Sequence, residues 1–86
     1  MLEESSGKGL FGIEPSEWEA LKHGIRRALI YSVVSNVKLL SPDLKVSLAR
    51  NIISDFYHSL NRKLILTNEE TEKELAKAYA LLSEEL

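Results

Sequence analysis

Cysteine and glutamine are absent from this 86-residue sequence, and methionine occurs only as Met1. Without thiols the chain forms no disulfide, holds no thiolate-ligated metal and has no cysteine nucleophile. Hot-living organisms use fewer of these thermolabile residue types, so the deficit hints at a thermophilic origin. No apolar stretch approaches the roughly 18 residues that a membrane-spanning helix needs. The opening MLEESSGKGLFG lacks the basic-then-apolar layout of a secretory signal. Together these features set the expectation of a cytoplasmic protein with no membrane partner.

Hydrophobic residues make up 44% of the chain and charged residues 28%, the balance of a sequence that folds around a core. A chain of this length supplies one such core. Its net charge of −2 conceals three blocks. Residues 1–19 carry five acids against Lys8, net −4; residues 20–66 carry eight bases against Asp43 and Asp55, net +6; residues 67–86 carry six acids against Lys73 and Lys77, net −4. A basic middle between acidic ends binds a polyanion or is answered by its own ends.

Residues 1–14, with Gly7, Gly9 and Gly12, read as a flexible Gly/Ser-containing arm. Leu10, Phe11 and Ile13 are unusual in a pure linker. They suggest either a tail that folds back on the core or a short docking peptide. The remainder, 15–86, reads as one helical domain. Ser16-Glu17-Trp18-Glu19 has the form of a capping box and opens a first helix running to about Leu39. Leu21, Ile25, Leu29, Val33 and Val37 fall at i, i+4 spacing and predict its buried face. Ile30 and Val34 lie partly behind that face, which suggests burial on more than one side. Residues 28–34 (ALIYSVV) are rich in strand formers and make a strand the local alternative.

Ser41, Pro42 and Asp43 suit the cap, first position and dipole end of a second helix reaching about Lys63. Leu48, Ile52, Phe56 and Leu60, with Ala49, Ile53 and Tyr57, predict its broad apolar face. Thr67-Asn68-Glu69-Glu70 is another capping box and starts a third helix. There Leu75, Ala78, Tyr79, Leu82 and Leu86 form a narrow stripe suited to coiled-coil-like packing. Short connections make neighbouring helices antiparallel. The expected fold is therefore all-α, a small three-helix bundle completed by oligomerisation.

Few groups converge in a way that suggests chemistry. GKGLFG places its lysine wrongly for a phosphate-binding loop and follows no strand. Asp55 and His58, three residues apart, predict a surface pair; a zinc site needs further ligands, and His23 lies on another helix. Glu69, Glu70, Glu72 and Glu74 lack the alternating pattern of a calcium loop and read as a solvated helix start. These features predict no enzyme, no cofactor, no metal and no small-molecule substrate.

Two partner classes remain. The first helix carries more apolar surface than two neighbours readily cover, and small chains often complete their core by association. This predicts a non-catalytic protein–protein interaction module, an accessory or adaptor subunit, binding another protein or itself through Trp18, Tyr31, Leu75, Tyr79 and Leu82; aromatics dominate such interfaces. The alternative is a nucleic-acid-associated protein, such as an accessory subunit of a replication, transcription or repair assembly. His23, Arg27, Tyr31 and Lys38 project from one side of the first helix, and Arg27, Lys38, Arg50 and Arg62 would contact phosphate. Against it stand a sequence pI near 5.7, an acidic third helix, and a glycine-free connection between the first two helices.

Overall fold

Two prolines open two of the three helices. In the computed structural model, which describes Gly12 and residues 14–86, Pro15 begins α1 (Pro15–Val37) and Pro42 begins α2 (Pro42–Arg62), each following an extended cap residue. Proline fits there because its missing N–H is one the helix start leaves unbonded in any case. The third helix, α3 (Asn68–Glu85), starts on the Thr67 capping box: Thr67 Oγ1 accepts from the Glu70 amide at 3.0 Å, and Glu70 Oε1 accepts from the Thr67 amide at 3.0 Å. Residues 28–34 are helical, and no strand occurs among the described residues. Once the flanking turns are helical, continuous i→i−4 bonding outweighs local strand propensity.

The first helix starts earlier than the Ser16 box implies. Its cap is Glu14, and the reciprocal partner is Glu17, whose Oε1 accepts from the Glu14 amide at 3.1 Å. Pro15 decides this, since its fixed φ is already helical. Ser41 caps α2 through its backbone only, its carbonyl accepting from the Lys45 amide at 2.8 Å. The end of α2 is a Schellman motif without glycine. The amide of Ile65 bonds the carbonyl of Leu60 at 2.9 Å, that of Leu64 bonds Asn61 at 3.0 Å, and Leu64 sits at φ 64°. Such a left-handed position normally falls to glycine.

The connections, 38–41 and 63–67, are short, so the helices pack up-down-up. Trp18 and Lys22 of α1 lie beside Glu70 of α3, and Arg26 lies beside Glu74, which sets these two helices side by side in the same direction. The core takes Ile30, Val33 and Val37 from α1, Ala49, Ile53 and Tyr57 from α2, Ala78 and Leu82 from α3, and Leu66 from the second connection. The all-α three-helix architecture is thus as the periodicity indicates. No helix among the described residues is long and apolar enough to cross a membrane.

A second sequence expectation is corrected. The inward line of α1 is not Leu21–Ile25–Leu29. It runs through Lys22, Arg26, Ile30, Val33 and Val37, and Leu21 remains 43% exposed. Ile30 is therefore central to the core. The cause lies on the facing helix, where α3 presents Glu70 and Glu74 to the first half of α1. Cations face those carboxylates, and the adjacent apolar line is turned aside.

Candidate functional site

The charged seam between α1 and α3 is closed upon itself. Glu70 Oε2 accepts from Trp18 Nε1 at 2.8 Å and from Lys22 Nζ at 3.3 Å, while its other oxygen serves the helix cap. Lys22 also pairs with Glu19 at 2.8 Å and lies 5.8 Å from the centre of the Trp18 ring. Deeper in, Arg26 donates to Glu74, whose side chain is only 2% exposed; Lys77 reaches its other oxygen at 3.8 Å. Burial alone would raise the Glu70 carboxyl, but the Thr67 amide, the Trp18 indole and Lys22 outweigh it and hold the group below its ordinary value. Burial likewise opposes the charge on Lys22, and Glu19 and Glu70 overcome that effect to raise it. The acidic start of α3 therefore does answer part of the basic middle segment.

Turning the Leu21 line away from the core opens a groove between α1 and α2. It encloses about 230 Å³ between Trp18, Leu21 and Ile25 on one wall and Phe56, Leu60 and Ile65 on the other. Tyr57, Leu66, Lys22 and Glu74 lie at its base, yet the surface open to solvent is entirely apolar. The Schellman turn shapes one end, because Leu60 and Ile65 are the residues that such a turn brings together. On α2 the same i, i+4 line continues outward through Ile52, Leu48 and Leu44, which are 36%, 43% and 60% exposed. On α1 it continues through half-buried Leu29.

The hydroxyl of Tyr57 is buried and has no hydrogen-bond partner among the described residues. Burial, aided by the Glu74 charge and opposed by Arg26, pushes this phenol up to about 12. Phe56 meets the Tyr57 ring edge-on at 5.2 Å between centroids.

The residues proposed from sequence as partner anchors are dispersed. Trp18 borders the groove. Tyr31 is exposed on α1 and accepts a hydrogen bond from Arg27 at 2.7 Å. Leu75 and Tyr79 are half-buried against the core, and Leu82 is fully part of it, so the stripe on α3 is used within the bundle. The four cations assigned to phosphate are also divided. Arg27 lies 5.2 Å from the Tyr31 ring on its own helix, whereas Arg50 stacks at 4.2 Å on Tyr79 of α3. Lys38 and Arg62 are exposed at the ends of α1 and α2. Arg26, set apart from the basic stripe by its position, is the cation buried against Glu74.

Asp55 and His58 are both exposed, and no bond joins them among the described residues. No cluster of three metal-ligating side chains occurs among the described residues. The GKGLFG segment lies outside them apart from Gly12. Sequence reasoning missed the groove because its residues were assigned to the core. The available signal was the second line on α1, where Lys22 and Arg26 continue the spacing of Ile30 towards the N-terminus. No family model, curated protein or solved structure matches this sequence.

Proposed function

We propose that this chain is a non-catalytic protein–protein interaction module, an accessory or adaptor subunit that buries its α1–α2 face against an apolar helix of a partner or of a second copy. One observation carries the reading. Leu21, Leu44, Leu48 and Ile52 remain exposed on two adjacent helices, beside a groove whose open surface is wholly apolar. Contiguous exposed apolar surface marks interaction sites in small domains. Two of the eight cations of the basic segment, Lys22 and Arg26, are paired with carboxylates of α3, which leaves less charge for phosphate. The apolar face is therefore the better-supported surface.

The test combines sedimentation velocity with tagged capture from the native source, using wild type, Leu21→Glu and Ile52→Glu. Loss of self-association or of a nuclease-resistant partner in both variants, with helical content retained, supports the reading. Unchanged association in both variants overturns it. Capture that disappears with nuclease assigns the partner to nucleic acid instead.

A further inference from the structure

We propose that a second copy of this chain packs on the outer face of α1, the two α1 helices running antiparallel and meeting at Gly24 and Ala28. The inference rests on the interaction-module reading and adds the partner, the surface and the orientation. This face is turned away from the core and shares only Leu21 with the α1–α2 groove.

Order along the helix comes first. Glu17, Leu21, Gly24, Ala28, Tyr31 and Ser35 are all exposed, and their spacing alternates four and three residues. Such spacing keeps one line of side chains against a neighbouring helix. The line also reads as a palindrome about position 26. Gly24 and Ala28 are its small centre, and Leu21 and Tyr31, each 43% exposed, lie outside them. Polar Glu17 and Ser35 come next, then Glu14 and Lys38 at the helix caps. A two-fold axis at position 26 sets each residue level with its mirror position on the other copy, as a contact between identical patches requires. Helices that cross diverge from their point of contact, so small residues belong at the centre and large ones outside it.

Charge fixes the direction. Lys38 is exposed and has no bonded partner among the described residues. Parallel copies would set Lys38 beside Lys38 and Glu17 beside Glu17. Antiparallel copies bring each Lys38 to the acidic start of the other helix, and complementary charge selects that orientation. Arg27, next to the centre, does face its own copy. It is exposed and donates to the Tyr31 hydroxyl at 2.7 Å, so salt screens the repulsion.

Gly24 agrees. Apart from proline, glycine is the costliest residue in a helix interior. No contact among the described residues calls for it. Beyond its own helix backbone and chain neighbours, no atom lies within 4 Å of where its Cβ would stand. A missing side chain on an exposed helix face lets another backbone approach closely.

The experiment is sedimentation velocity on the full chain, with cysteine pairing to read the register. A particle of twice 9.7 kDa is expected as protein concentration rises. Gly24→Leu, which improves helix propensity, should raise the unfolding midpoint of the monomer yet weaken dimerisation about tenfold or more. Ala80→Leu, exposed on α3, is the control and should leave the dimer unchanged. The chain has no cysteine, so Gly24→Cys and Ala28→Cys each supply a single thiol. Mixed and oxidised, these two chains should form the 24–28 disulfide in preference to either homodisulfide. Preference for the homodisulfides overturns the proposal, because parallel helices give that result. Self-association that survives Gly24→Leu and is lost in Ile52→Glu also overturns it, by placing the second copy on the groove, and leaves the interaction-module reading intact. A 9.7 kDa species at every concentration overturns it too. In that case a captured nuclease-resistant partner keeps the module reading, and no captured partner removes both.

Discussion

Removing the Glu74 carboxylate tests whether the charged seam is a true interior feature. Its side chain is 2% exposed and that of its partner Arg26 is 13% exposed, so both are well within the bundle. Glu74→Ala leaves the Arg26 guanidinium buried with no opposing charge. Breaking a buried pair in this way costs about 3–5 kcal/mol. The loss of the Lys77 contact adds little to this, because Lys77 is 53% exposed and 3.8 Å from the carboxylate. A chain of this size has roughly 4–13 kcal/mol of total stability, from ~0.05–0.15 kcal/mol per residue. The single change therefore removes a large share of it. At ~4–8 °C per kcal/mol for domains of this size, the midpoint falls by at least about 12 °C. The assay is urea unfolding followed by far-UV circular dichroism, at several protein concentrations so that association is separated from folding. Arg26→Met, Glu74→Leu and the double variant Arg26→Met/Glu74→Leu complete a cycle with wild type. The double variant is expected to be far less destabilised than Glu74→Ala, because no unpaired charge remains. A loss below about 1 kcal/mol for Glu74→Ala, with additive effects round the cycle, would refute the reasoning and mean that the seam is solvated.

Three further outcomes are expected. Leu64→Gly should stabilise the fold by about 1 kcal/mol in the same urea assay, since Leu64 holds a left-handed φ of 64° that costs an L-residue roughly 1–2 kcal/mol and is 81% exposed, with little burial to lose. Tyr57→Phe removes a buried hydroxyl without a partner among the described residues and should gain about 1 kcal/mol at neutral pH. It should also flatten the alkaline limb of stability. With the folded phenol held neutral to about 12 and the unfolded one ionising near 10, wild type loses up to roughly 3 kcal/mol as pH rises through that window. The Lys22 pair adds a second alkaline loss that survives in the variant, because a raised lysine loses its stabilising charge as pH passes its folded value. Glu70→Gln acts on the acid side. A carboxyl held below its ordinary value stabilises above the unfolded pKa and loses that contribution as pH falls through the folded one, so the variant should be less stable at neutral pH and show a shallower acid transition.

The elements themselves were legible in the sequence, and the rotation of one of them was not. Pro42 marked the start of α2 correctly and the Thr67 box that of α3, because local chemistry at a helix start acts within four residues. The Ser16 box was outcompeted by Pro15 and Glu14, two residues earlier and by the same chemistry. Leu21, Ile25 and Leu29 made the more apolar line on α1, and periodicity alone ranked it above the line through Lys22 and Arg26. Which line turns inward is decided by what it meets, and Glu70 and Glu74 lie some fifty residues away in sequence. The turn at Leu64 was unreadable for a different reason: the residue type that normally signals it is missing, and the pattern of carbonyls at Leu60 and Asn61 is a backbone property.

The seam and the groove are two consequences of one choice. The first half of α1 carries two lines, one cationic and one apolar, separated by about 100° of rotation. A three-helix bundle has room for one of them. Were the apolar line inside, Lys22 and Arg26 would reach water, but Glu70 and Glu74 of α3 would then face an apolar wall, at the cost that attends unpaired buried carboxylates. With the cations inside, every charge in the seam is answered, and the cost is moved to the surface as exposed Leu21 and an open groove. A pair that adds little net stability over apolar packing thus sets which face α1 presents. The same logic gives the apolar double variant a second signature. With Arg26→Met and Glu74→Leu, both lines on α1 become compatible with the interior, and the helix loses its reason to hold one rotation. Amide resonances of residues 18–30 should then broaden through exchange even where urea midpoints are preserved. Sharp, singly populated resonances in that variant would show that core packing at Ile30, Val33 and Val37 orients the helix without the seam.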